Sequence, residues 1–182
     1  MNEKALKVLE YEKIIQKLTE LAGSAPGKAL CRSLVPSAVL SEILRMQQET
    51  SDAVSMLLRK GSVSFSGVTD MRGSLKRLEV GSSLNIDELL RVCRLLETCL
   101  RVKSWARGEA GQEQENSLTG MFQSLQPLTP LSAEIRRCIP SEEEIDDNAS
   151  PGLRQVRRQM QLTNERIRSQ LTTYVNGSYR TY

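Results

Sequence analysis

The sequence predicts a mainly α-helical fold: a helical bundle, a small β-hairpin, then one long C-terminal helix. Three observations carry this prediction. Leu dominates the apolar residues and aromatic content is only 4%. Apolar residues recur at intervals of three and four, the period of one helix face. Helix-start residues (Ser, Asn, Pro) and helix-stop glycines separate these runs. A chain of 182 residues is long enough for one domain with a real core.

The elements follow in order. Leu6, Leu9, Ile14, Ile15, Leu18, Leu21 and Ala22 form a first helical run, broken near Tyr11. Gly23-Ser24 stops it and caps a short helix, about Ala25 to Ser33, that carries Leu30 and Cys31. Pro36-Ser37 ends this piece and caps the next. Ala38 to Lys60 reads as a long helix with Leu40, Ile43, Leu44, Thr50, Ala53, Val54, Leu57 and Leu58 on one broad face. Gly61 closes it, as a C-terminal glycine does. Ser62 to Gly67 is expected to be extended and to tuck Val63 and Phe65 into the core.

Asp70 to Glu79 is a further helix, with Met71, Leu75 and Leu78. After the loop Gly81-Ser82-Ser83, Asn85 and Glu88 have the spacing of a capping box. The helix they start is apolar on most sides, through Ile86, Leu89, Leu90, Val92, Cys93, Leu95, Leu96, Cys99, Leu100 and Val102. Such a helix belongs at the centre of a bundle. Arg107 to Asn116 reads as an exposed loop. Ser117 to Leu125 and Ser132 to Arg137 are short helices around breaks at Pro127 and Pro130. Cys138-Ile139 and Glu144-Ile145 are expected to pair as the hairpin, across an acidic turn.

The tail is the most distinctive segment. Glu142 to Asp147 holds five carboxylates and no base, whereas Pro151 to Tyr182 holds six arginines and one acid, Glu165. Ser150-Pro151 is a helix start: the hydroxyl accepts from an orphan N–H, and Pro fits the first helical position. Leu153, Val156, Met160, Ile167, Leu171 and Tyr174 then recur near heptad spacing. Asn176-Gly177 is a weak stop, and the segment reads as a fragment whose last helix wants a partner.

Composition excludes several chemistries. There is no histidine, so Ser–His and Cys–His nucleophile pairs, His-containing zinc sites and His general bases are impossible. Cys31, Cys93, Cys99 and Cys138 show no C-x-x-C spacing and read as apolar packing residues rather than ligands or a disulfide pair. No signal peptide or membrane-length apolar run occurs, and a reducing cytoplasm is the expected location. Formal net charge is only +3. The bases cluster in the tail helix and at Arg59, Lys60, Arg72, Lys76 and Arg77, against Asp70 alone.

Three motifs invite chemical readings. Gly23-Ser24-Ala25-Pro26-Gly27-Lys28-Ala29 resembles a phosphate loop, but it has three residues between its glycines and Ala after the Lys. A phosphate loop needs four and a Ser or Thr, so a helix corner with Lys28 exposed explains the segment. The acidic run lacks the alternate ligands and central Gly of a calcium loop. It reads as a solvated turn whose acids favour the positive end of the next helix. Arg154, Arg157, Arg158, Arg166 and Arg168 are the candidate nucleic-acid-binding residues, since arginines on one face can hold phosphates. The competing reading is a solvated helix face with one Glu165–Arg168 pair. No aromatic interleaves these arginines, so base stacking is unsupported.

Asp146-Asp147-Asn148-Ala149-Ser150-Pro151-Gly152-Leu153-Arg154, running on through Val156-Arg157-Arg158 to Arg166-Ile167, resembles the D-x-A-S-x-x-L-x-x-[IV]-R run of the MutS superfamily. Leu9-Glu10-Tyr11 with Ile14-Ile15, the Gly27-Lys28 corner leading to Leu34-x-Pro36, and Leu58 to Gly67 agree with the branch that works outside mismatch repair. The order of these stretches covers essentially the whole chain, and no Phe-x-Glu mismatch wedge occurs.

The resemblance implies a core-and-lever fold: residues 1–138 a helical core, 139–149 a hairpin and acidic turn, and 150–182 the truncated start of a lever helix. It implies a parent that is an ATP-driven clamp, with ATP and magnesium held elsewhere, a putative Smr-type endonuclease module and homodimerisation. The implied partners are branched or double-stranded DNA, the ribosome, and the parent's own downstream lever and ATPase domains, with no membrane. The implied roles of the branch are suppression of recombination and rescue of stalled ribosomes. None of the ATPase or nuclease motifs lies in these residues, so this piece is expected to hold no catalytic, cofactor or metal site.

Overall fold

The computed structural model describes residues 3–107 and 115–177. Among them are nine α-helices, one 3-10 turn and no strand. Two compact units are present, Met1–Ala133 and Glu134–Tyr182.

The first unit opens with α1 (Glu3–Val8) and α2 (Tyr11–Leu21). Glu10 between them adopts φ 52°, a left-handed conformation that ends the first helix before the second begins. Ser24 accepts a hydrogen bond from the Gly27 N–H at 3.1 Å and starts α3 (Ala25–Arg32), with Pro26 in its first turn. Tyr11 donates its hydroxyl to the Leu34 carbonyl at 3.2 Å, tying α2 to the segment after α3.

The long helix α4 (Leu40–Lys60) begins two residues later than the sequence suggests. Ser37 caps the Val39 N–H at 3.1 Å instead of a helical one. Gly61 closes α4 at φ 75°, with its N–H on the Leu57 carbonyl. Its inward face also differs from expectation. Ile43 and Ala53 of the expected face are half-buried, as are Met46, Glu49 and Asp52, and Met56 is buried, whereas Leu40, Leu44, Val54, Leu57 and Leu58 are exposed. That side makes a polar contact across the unit. The Asp52 carboxylate accepts from the Ser117 N–H at 2.9 Å and the Ser117 hydroxyl at 2.7 Å. Those bonds also hold the Asp52 carboxyl below its usual value.

The 62–67 segment forms no strand, and only Val63 of the expected pair is half-buried; Phe65 is 43% exposed. Arg101 donates to the Ser64 carbonyl at 3.1 Å and pins the loop. Asp70 accepts from the Arg72 N–H at 3.0 Å and starts α5 (Arg72–Glu79).

The central helix, α6 (Ile86–Arg107), begins with the expected capping box. The Asn85 side chain accepts from the Glu88 N–H at 2.8 Å, and Glu88 accepts from the Asn85 N–H at 3.1 Å. Glu88 also accepts from the Ser74 hydroxyl at 2.8 Å and pairs with Arg77, joining α5 to α6. Leu90, Cys93, Leu96, Thr98 and Val102 are all buried along α6, with Met56 and Met71 completing the core of this unit. Beyond it come α7 (Thr119–Ser124) and α8 (Thr129–Cys138). Pro130 does not break a helix: it lies in the first turn of α8, where no N–H is needed. The expected 107–116 loop lies mostly outside the described residues.

The second unit contains the end of α8, a 3-10 turn (Asp147–Ala149) and α9 (Pro151–Asn176). The expected hairpin is absent. One bond, from the Asp146 N–H to the Cys138 carbonyl at 2.9 Å, spans the acidic segment. Cys138 remains helical, Pro140 has no N–H to donate, and Glu142, Glu143 and Glu144 repel one another in sequence. A ladder cannot grow from a single bond under those conditions.

Candidate nucleic-acid interface

The base of α9 is built by local chemistry. Asp146 caps the 3-10 turn by accepting from the Asn148 N–H at 2.7 Å. The extended backbone of Ser150 then presents its hydroxyl to the Leu153 N–H at 3.1 Å, and Pro151 occupies the first helical turn.

Three arginines lock this turn to its neighbours. Arg137, on α8, donates to the Asn148 carbonyl at 2.8 Å and the Ala149 carbonyl at 3.4 Å. It is aimed by Glu134, 2.6 Å away. The Arg137 hydrogen bond holds the Glu134 carboxyl at about 2, and the pairing raises Arg137 further above its usual range. Arg157 donates to the Ile145 carbonyl at 2.8 Å and pairs with Asp147. Arg154 donates to the Asn148 side chain.

Two of the five candidate arginines, Arg154 and Arg157, are therefore committed to the turn that starts the helix. Arg158, Arg166 and Arg168 are exposed, and no ion pair joins Glu165 to Arg168. At about 100° per residue, Arg158 and Arg168 fall within one arc and Arg166 lies about 160° from Arg168. The five thus do not form one continuous stripe. Arg137 was not a candidate in the sequence; its signal is the three-residue spacing from Glu134 in the last turn of α8.

The opposite side of α9 is an exposed apolar seam. Val156 is 52% exposed, Met160 59%, Ile167 48%, Leu171 57% and Tyr174 62%. Their spacings of four, seven, four and three keep them on one narrow line.

The other motifs find structural uses. Lys28 is exposed on α3, with its N–H on the Ser24 carbonyl at 2.9 Å. Asp146 and Asp147 serve as a cap and an ion-pair partner, and no group of three potential metal ligands occurs among the described residues. The Arg59 to Arg77 bases are distributed: Arg72 on Asp70, Arg77 on Glu88 and Lys60 on main-chain carbonyls at the end of α6. None of the four cysteines forms a disulfide; Cys93 is buried and the others half-buried, and burial raises the Cys99 thiol. No helix among the described residues is long and apolar enough to cross a membrane.

No family model matches the chain. Curated relatives do match, along its whole length. It is 48% identical over 183 aligned residues to a protein named Endonuclease MutS2 from Lachnoclostridium phytofermentans, covering 98% of the chain. It is 45% identical to the protein of the same name from Agathobacter rectalis and 40% identical to that from Lachnospira eligens, covering 100% of the chain in both. In each case the chain spans about 23% of the relative's length.

Proposed function

We propose, from homology to the MutS2 family over the whole length of this chain, that it is a structural module of a larger ATP-driven clamp and carries signals rather than catalysing a reaction. The relatives are named endonucleases. In this reading their chemistry, together with ATP and magnesium, resides in the remaining three-quarters of such a protein. This piece supplies the helical core and the root of a lever. The observation that carries the reading is the contrast within α9. Its base is fixed by Arg137, Arg154, Arg157 and the Ser150 cap, while its seam of Val156, Met160, Ile167 and Leu171 is exposed. A helix held rigidly at one end with a heptad seam open to a partner is suited to transmit displacement between domains.

The targets of that clamp are branched or double-stranded DNA and the ribosome, and its roles are suppression of recombination and rescue of stalled ribosomes. The assembled protein works as a homodimer in the cytoplasm. The test uses a full-length MutS2 protein with DNA-stimulated ATP turnover as readout. Arg137→Ala with Arg157→Ala loosens the lever root, so stimulation by DNA falls while basal turnover is kept. Stimulation equal to that of the parent protein defeats the proposal.

A second reading, direct nucleic-acid binding, is favoured by one observation: Arg158, Arg166 and Arg168 are exposed with no bonded partner on their guanidinium groups. The 182-residue chain would then bind branched DNA or ribosomal RNA in a salt-dependent way, and each phosphate-binding arginine replaced would reduce the salt slope by about one. A triple Ala variant that binds as tightly as the parent at every salt concentration removes this reading.

A further inference from the structure

Residues 4–55 contribute almost nothing to the core. Thr19 is the only buried side chain among them, and it is polar, with its hydroxyl on the Ile15 carbonyl at 2.7 Å. Every buried apolar residue among the described ones lies at Met56 or beyond. The same stretch is nevertheless rich in large apolar side chains. Val8 and Val35 are each 77% exposed, Leu21 84% and Leu30 70%. On α2, Ile14, Leu18 and Leu21 are all exposed and fall within an arc of about 60°. A groove of about 480 Å³ is lined by another side of α2 together with Arg32 and Leu34, and Tyr11 and Ile15 give it apolar walls.

Short helices need such a surface covered. α1, α2 and α3 have six, eleven and eight residues, and an isolated helix under about 12–15 residues is marginal in water. Local bonds set the path of the segment: the Ser24 cap and the Tyr11 hydroxyl on the Leu34 carbonyl. Exposed bonds of this kind do not offset the entropy of ordering the segment, whereas burial of apolar area does. An apolar face of this extent marks a contact surface.

We infer, on the reading of the chain as one module of a larger MutS2 protein, that the surface from Val8 to Val35 docks against an apolar face of another domain of the same polypeptide. That contact holds α1–α3 in helical form. The chain spans about 23% of its relatives' length, so most of such a protein lies outside it. A face tethered in the same polypeptide acts at an effective concentration of about millimolar, which favours it over a separate protein or a second copy. Charge disfavours a lipid surface. α2 carries Glu12 and Glu20 beside Lys13 and Lys17 and has no net charge, whereas membrane-surface helices are rich in bases.

Limited trypsin digestion tests this. Initial cleavage after Lys17 and Lys28, both exposed, is followed by mass spectrometry in the 182-residue chain and in a full-length MutS2 protein that begins with this sequence. Cleavage at both sites is expected to be at least about tenfold slower in the full-length protein. Ile14→Gln with Leu21→Gln keeps good helix formers in α2. This double variant restores fast cleavage in the full-length protein and leaves the rate in the 182-residue chain unchanged, with circular dichroism verifying that both are folded. Equal rates in the two parent proteins overturn the proposal, as does full protection in the full-length double variant. Protection of the 182-residue chain that grows with its own concentration assigns the surface to a second copy. Protection of that chain by phosphatidylglycerol vesicles assigns it to a membrane, and either result overturns the proposal. DNA-stimulated ATP turnover, the readout of the lever, is measured separately, so failure of the docking surface and failure of the lever are told apart.

Discussion

Arg157 and Arg137 illustrate how a basic residue can be read in two ways until its partners are known. In sequence, Arg157 is one of five bases on a helix; in the structure it closes the acidic turn through Ile145 and Asp147. Its substitution by Ala is expected to destabilise the second unit by about 1 kcal/mol, the scale of one partly exposed charged hydrogen bond, measured by urea denaturation. Glu134 makes the pH dependence specific. Its carboxyl is lowered from 4.5 to about 2 by Arg137, so its contribution is complete above the unfolded value near 4.5 and disappears as pH falls toward 2. Glu134→Gln should therefore flatten the dependence of melting temperature on pH between about 5 and 2. An unchanged acid limb would show that the pair is not formed. Neither arginine's role was legible from spacing alone, because the acceptors are main-chain carbonyls that no side-chain pattern encodes.

At the scale of the element, the caps were the most legible features. Ser24, Asn85 with Glu88, Ser150 and Gly61 all act where the sequence places them, since a cap depends only on residues within one turn. Ser150→Ala should cost about 1 kcal/mol and fray the start of α9, visible as faster amide exchange at Leu153. Two elements were misread, one for a non-local reason and one for a local reason. The inward side of α4 carries Asp52, whose bonds to Ser117 cross the unit, a long-range contact that a count of leucines does not encode. The hairpin fails because the one bond across the acidic segment has no second to follow it. A paired comparison tests the assignment of faces. Leu90→Ala, on the buried line of α6, should cost about 2–5 kcal/mol. Met160→Lys, on the open seam of α9, should change stability by less than about 0.5 kcal/mol. A large loss for Met160→Lys in the isolated chain would mean that its seam is already covered.

For the whole molecule, the helical class, the central place of α6 and the long terminal helix were legible because each rests on a sustained period. The candidate nucleic-acid interface was legible only as composition. Its arginines divide between Arg154 and Arg157, which bond to the turn that starts α9, and Arg158, Arg166 and Arg168, which remain exposed. That division favours a module whose main work is mechanical. The most direct measurement is amide hydrogen exchange along α9, compared between the 182-residue chain and a full-length MutS2 protein. If the seam takes a partner helix in the whole protein, amides from Val156 to Leu171 exchange at least about tenfold more slowly there than in the isolated chain. Equal exchange over that stretch in both proteins would contradict the account.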